Sequence, residues 1–483
     1  MRIVFVASEA TPYIKTGGLA DVAGALPKAL KRRGHDVSLI LPRYSVPGVA
    51  ERSRYADLMV EVPFDFGTKV SGIHVDPAAE FPTYFVDAPK YFHRDSKSPY
   101  GEPDDAERFA YFSRAACELV KRLGPPPDVV QCNDWMTALV PAHVRTTYGS
   151  DPFWSRVGTL FTIHNMAFHG IFGPADIPKF GFSPDFFRTD GGFEFHGQAS
   201  MMKAALLSAD LVSTVSRKYA QEIQTPEFGY RLDGLLRARA RDVVGILNGV
   251  DYEHWDPRHD EHIPAAYWAD QMDGKLACKR EMLSRFWLPD EPQRPVFGIV
   301  SRLSDQKGID LIAESVVKLI ETGAFFIELG SGSREYEEMF QALRDTYPRS
   351  VGVYRGYSEP LAHVIEAGSD FFLMPSRFEP SGLNQLYSLR YGTPPVVRAT
   401  GGLDDTITHF DRASRTGNGF KFYEYRADRL LETIYEALLI YRQPELLAAV
   451  RRNGMLEDFS WDRSAAEYER VFARIAHRKH HGH

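Results

Sequence analysis

The sequence predicts an α/β protein made of two doubly wound domains, and two observations carry that prediction. Short β-branched runs alternate with longer helical patterns along the chain, and the series restarts near residue 250. The runs are apolar throughout instead of alternating, the pattern of parallel strands covered by helices on both faces. A length of 483 residues suits two or three domains.

In order, the first half offers strands at "IVFVAS", "VSLILP", "DVVQC", "GTLFTIH" and "LVSTVS". The second offers "VVGILN", "VFGIVSR", "FFIELGSG", "VGVYRG", "DFFLMP" and "PPVVRA". Helices fill the intervals, and "AERFAYFSRAACELVKRLG" and "DRLLETIYEALLIYRQ" both carry apolar spacing of three and four. The polar, aromatic stretch "GILNGVDYEHWDPRHDEHIPAAY" marks the boundary. This gives domains at 1–250 and 251–459, followed by a helix and tail at 460–483. That last helix has Ala465, Tyr468, Phe472 and Ile475 on one face and no following strand, so it is expected to pack back on the first domain.

The formal charge of −7 argues against a nucleic-acid or membrane-surface binder acting through bulk charge. Three widely spaced cysteines give neither a disulfide framework nor a zinc site and suit a reducing compartment. The apolar run at the N-terminus is shorter than a signal peptide needs, and none approaches the roughly 20 residues that span a bilayer. A cytoplasmic location is expected. The end "HRKHHGH" reads as a frayed tail.

In open α/β sheets, ligands gather at the carboxyl ends of strands, and the informative segments fall there. "YIKTGGLADVAGAL" follows the first strand. Its Lys15, Gly17 and Gly18 read either as a tight turn or as an anion site where backbone N–H groups and a helix dipole add to the lysine charge. Pro27 is expected to end that helical turn. Asp134 follows a third strand as a possible cap, His164 follows "LFTI", and Asn248 sits at the interdomain turn. Arg302 and Lys307 read as a diphosphate clamp or as a solvated loop. Glu379 stands at the entry to a helix starting near Gly382, and Gly401–Gly402 repeat the paired glycines. Together these positions predict a cleft for a phosphorylated, polyhydroxyl ligand. "LGSGSREYE" lacks the third glycine of a dinucleotide loop. No Asp-x-Asp pair occurs, so no carboxylate set for a divalent metal stands out.

These segments resemble the bacterial glycogen synthases and plant starch synthases, retaining glucosyltransferases of the GT-B fold. The resemblance covers essentially the whole chain. It rests on "KTGGLADVAGALP", "CNDW", "TIHNMAFHG", "TVSRKYAQEI", "GILNGVD", "SRLSDQKGIDL", "PSRFEPSGLNQLYSLRYGTPPVVRATGGLDDT" and "FSWDRSAAEY". "KTGGLADV" is the most specific of them. The resemblance implies two Rossmann-like domains facing across a cleft. It also implies transfer of glucose from ADP-glucose to the non-reducing end of glycogen or another α-1,4-glucan, with no cofactor.

By resemblance, Lys15, Arg302 and Lys307 contact the donor diphosphate, with Gly17, Gly18 and the stretch Ser381, Gly382, Leu383 and Asn384 nearby. Tyr357 stacks on adenine, and Asp134, His164, Asn248 and Glu379 contact the transferred glucose. Ser381, Asn384, His169 and Met136 depart from the commonest residues of relatives, and Tyr387 stands where other GT-B enzymes carry a second glutamate. Glu379 is read as a positioning and charge-stabilising group, with the leaving phosphate deprotonating the acceptor. The alternatives are an epimerase, a GT-B transferase with another acceptor, and a silent glucan-binding protein. Oligomeric state is not readable from the residues.

Overall fold

The computed structural model describes residues 1–64, 67–94 and 98–481. The last two residues of the histidine-rich end, and the side chains of His480 and His481, lie outside the described residues. The chain forms two compact units, Met1–Gly249 with Trp461–His483, and Val250–Ser460.

The strands of the first unit are β1 (Arg2–Val6), β2 (Asp36–Pro42), β3 (Arg54–Phe64), β4 (Gly67–Val75), β5 (Thr83–Asp87), β6 (Val129–Asn133), β7 (Gly158–Ile163), β8 (Ile171–Phe172), β9 (Glu194–Phe195), β10 (Gln198–Ser200), β11 (Leu211–Thr214) and β12 (Val243–Gly245). Nine of them form one sheet in the order β12-β11-β7-β6-β1-β2-β5-β4-β3, and β8-β10-β9 form a small separate one. Pairing is parallel from β12 to β5. The β3–β4 hairpin adds an antiparallel edge that the sequence reading did not include. β6 and β7 are buried along their whole length, which explains their unbroken apolar character. Their polar members bond across the sheet: Gln131 Nε2 donates to Thr162 Oγ1 at 3.0 Å, and Thr162 and Ser213 hydroxyls meet at 2.8 Å.

The first helix, Gly18–Arg32, buries Leu19, Val22, Ala23, Leu26 and Leu30 on one stripe, and its last turn carries Lys31 and Arg32 where the dipole favours cations. Pro27 does not end a turn as expected; it lies buried inside this helix. Its ring removes one backbone donor, and its burial offsets part of that loss. The last helix, Trp461–His481, packs on the first unit. Ala465, Tyr468, Phe472 and Ile475 are fully buried there. Glu469 accepts from Arg33 at 2.7 and 2.8 Å and lies 2.9 Å from His35 Nε2.

The second unit has β13 (Val296–Leu303), β14 (Phe325–Gly332), β15 (Val351–Arg355), β16 (Phe371–Met374), β17 (Pro395–Arg398) and β18 (Phe420–Phe422) in the order β15-β14-β13-β16-β17-β18, all parallel. Val296 and Val300 of β13 join one apolar layer, and Phe297 and Ile299 join the other, so both faces are covered. The doubly wound pattern thus occurs twice, as its sequence periodicity predicts. Each sheet also has a switch point, where the chain order reverses: β1/β6 in the first and β13/β16 in the second. In open α/β sheets, ligands gather at the carboxyl ends of strands at such points.

Phe472→Ala is expected to destabilise the first unit by about 3–5 kcal/mol, the cost of a buried phenylalanine cavity. Denaturant unfolding with a probe in that unit measures it.

Candidate functional site

In the second unit, the turn after β13 and the turn after β16 leave the switch point side by side. Gly308, at φ +71°, packs so tightly that a Cβ there would lie 2.1 Å from the Pro375 carbonyl oxygen. This contact brings Lys307 to Glu379: Lys307 Nζ donates to Glu379 Oε2 at 2.6 Å, and Ser376 Oγ donates to the same oxygen at 3.1 Å. Glu379 is only 5 % exposed. A carboxylate so buried requires such partners, because removing one leaves an uncompensated charge.

The second glycine pair completes this turn. A Cβ on Gly402 would lie 1.9 Å from the Ser381 carbonyl oxygen, and the Gly402 N–H donates to the Glu379 carbonyl at 3.0 Å. Gln385 Nε2 donates to the Ser381 and Gly382 carbonyls at 2.9 and 3.1 Å, and Asn384 Nδ2 donates to Val300 O at 2.6 Å. The helix starts at Asn384, two residues later than expected, with Leu383 at its cap position and no side chain capping it. Arg302 lies on β13 itself and not on the loop, its side chain exposed. Tyr357, 64 % exposed, follows β15. Tyr387 lies flat against Trp255, ring centroids 3.9 Å apart, and Trp255 stacks on His363 at 3.7 Å. The partial dinucleotide motif is structural: Cβ atoms on Gly330 and Gly332 would meet the Ser301 and Leu303 carbonyls of β13 at 2.2 and 2.3 Å.

In the first unit, Asp134 follows β6 with φ +54° and ψ −178°, a backbone conformation that costs roughly 1–3 kcal/mol outside glycine. The turn aims its carboxylate away from the capping role expected of it: Asp134 Oδ1 accepts the His164 N–H at 2.7 Å. Burial pushes the Asp134 carboxyl up to about 7, against the N–H donations of His164 and Asn165. Burial pushes the His164 imidazole down to about 3, so it is neutral at ordinary pH.

The tautomer of His164 follows from its neighbour. Asn133 Nδ2 donates to Val6 O at 3.0 Å, which leaves Asn133 Oδ1 facing His164 Nε2 at 3.0 Å. Nε2 therefore carries the proton and Nδ1 the lone pair. The pair offers one weakly acidic carboxyl and one neutral acceptor, a chemistry suited to hydroxyl groups. Asn248 is buried, and its Oδ1 has no partner among the described residues. Met136 is buried in the core, and burial pushes His169, whose ring lies 5.2 Å from Phe195, down to about 4.

Residues 15–18 stand at the end of β1. Lys15 Nζ donates to Asp21 Oδ1 at 2.7 Å. Glu9 Oε2 accepts the Thr16 N–H at 2.6 Å and the Thr16 hydroxyl at 2.7 Å. Gly17 adopts an extended backbone, and no side chain caps the helix that begins at Gly18. Reasoning from sequence missed Glu9, Asp21, Asn133 and Ser376. Only Glu9 had a visible signal, a carboxylate just past an apolar strand.

The family model of the starch synthase catalytic domain matches residues 2–238, and that of the glycosyl transferases group 1 matches residues 284–455. A glycogen synthase from Koribacter versatilis is 47 % identical, over 98 % of both chains. One from an Anaeromyxobacter species is 46 % identical, over 99 % of this chain and 100 % of the other. Among solved structures, the catalytic domain of starch synthase IV from Arabidopsis thaliana, bound to ADP and acarbose, is 32 % identical with a TM-score of 0.91, over 99 % of both chains. Sucrose-phosphate synthase from Thermosynechococcus elongatus, at 17 % identity and TM-score 0.63 over 98 % of both chains, shares the fold.

Asp134 titrates higher when folded than the ordinary value near 3.9. Its neutral form therefore supports the fold below the unfolded value, and that support is lost as pH rises through about 7. Relative to Asp134→Asn, which stays neutral, the wild type should lose stability between about pH 4 and 7. Urea unfolding of both proteins across that range tests the sign.

Proposed function

Since the chain belongs to the glycogen and starch synthase family of glycosyltransferases, we propose that it moves the glucosyl unit of ADP-glucose onto the non-reducing 4-hydroxyl of an α-1,4-glucan, with retention of configuration. The observation that carries this reading is the Lys307–Glu379 pair, held at the β13/β16 switch point by two glycine contacts.

The chemistry follows from charge. Departure of ADP concentrates negative charge on the β-phosphate. In this reading Lys307, Arg302 and the N–H groups at Gly382–Asn384 meet it, and preorganised donors of this kind supply the largest catalytic term in many enzymes. In the first unit, Lys15 and the Gly18 helix end supply positive potential suited to phosphate. Tyr357 presents an exposed ring for the base. Asp134, neutral His164 and Asn248 suit the glucose hydroxyls, and Glu379 stabilises positive charge developing at the anomeric carbon. The leaving phosphate oxygen takes the acceptor proton, so ADP departs as the hydroxyl adds. No helix among the described residues is long and apolar enough to cross a membrane. Three buried free thiols suit a reducing compartment, and the proposed location is cytoplasmic.

Lys307→Ala should lower turnover by about 10²–10³, the cost of removing one such donor, while glycogen affinity stays. ADP release from ADP-glucose, with and without glycogen, measures the first, and glycogen co-sedimentation measures the second. Glycogen-dependent release in the wild type supports a synthase. Glycogen retention without any release would mark a binding protein instead.

A further inference from the structure

Glu9 lies just past β1, the strand at the switch point of the first sheet, and is 3 % exposed. An acidic group is unexpected at that depth beside a loop that would receive phosphate. Its surroundings explain it. Oε2 takes both the N–H and the hydroxyl of Thr16, at 2.6 and 2.7 Å. Burial raises the carboxyl above its ordinary range, and the polar groups of Thr16, Tyr100 and Gly17 around it draw it back.

The segment that follows it is closely packed. Thr11 N–H donates to Ala20 O at 3.0 Å, and a Cβ on Gly24 would sit 2.2 Å from Thr11 Oγ1, so Thr11 lies directly on the first helix. The Thr16 N–H, in the loop that the sequence alone suggests for an external anion, already serves an internal one. What the loop can still offer is Lys15, held by Asp21, and the Gly18 end of the helix.

We infer that Glu9 is a positioning residue for the nucleotide-sugar donor: as a fixed internal anion it locks Thr16 and Gly17, and so sets where Lys15 and the Gly18 helix end meet the donor phosphate. The inference rests on the reading of residues 15–18 as a phosphate loop, and its test separates the two.

Donor KM, glycogen KM and inhibition by ADP are measured for the wild type, Glu9→Gln, Thr16→Val and Lys15→Ala. Glu9→Gln keeps the size of the side chain but puts an amide NH₂ among N–H donors. It should raise donor KM and the ADP inhibition constant by about tenfold or more, as expected for loss of a charge-assisted hydrogen bond, and leave glycogen KM unchanged. Thr16→Val, which removes only the hydroxyl, should shift the same two constants in the same direction by less. It decides the matter if the Glu9 variant fails to fold. Unchanged donor constants in the Glu9 and Thr16 variants, with Lys15→Ala weakening the donor, would overturn the role of Glu9 alone. Unchanged constants in all three would overturn the phosphate loop, and Glu9 with it. Equal loss of donor and glycogen affinity would make Glu9 a general support of the fold and also overturn the inference.

Discussion

The second unit depends on one topological constraint, the reversal of strand order between β13 and β16. Two loops leave that point in opposite senses, and only where glycines allow backbones to touch can they lie side by side. The result is a partly exposed lysine ion-paired to a buried glutamate. The buried carboxylate needs that partner. The Lys307 cation is thus fixed in place by folding, its side-chain ordering already met before any ligand arrives.

The first unit solves a different problem with the same geometry. At its switch point the charged groups are satisfied internally, Lys15 by Asp21 and the loop amides by Glu9. At the ends of β6 and β7, burial drives Asp134 and His164 toward their uncharged forms from opposite directions. Neutral donors and acceptors discriminate among hydroxyl arrangements without attracting every passing ion.

Much of the fold was legible because parallel strands buried on both faces leave an unmistakable mark, as in the unbroken runs of β6 and β7. The β3–β4 edge was not, because its two faces differ: Tyr55 and Met59 are exposed while Val60 and Val62 are buried. Pro27 misled because a local rule against proline in helices gave way to burial. For the site, the strand-end positions of the candidate residues were readable, but their pairings were not. Lys307 and Glu379 stand 72 residues apart in the chain, and no periodicity connects them. The Asn133 amide that fixes the His164 tautomer is likewise a product of sheet register, through the carbonyl of Val6.

The seating of Trp461–His481 against the first unit bears on how the molecule is born. On the ribosome, the opening 249 residues emerge long before the segment that covers them, while the second unit is made in one continuous stretch between the two. The half synthesised first must therefore wait, its apolar flank uncovered, until the half synthesised second is finished. Damage to the helix at Trp461–His481 would accordingly be felt at the amino-terminal half, and nascent chains would be most prone to sticking together before that helix emerges.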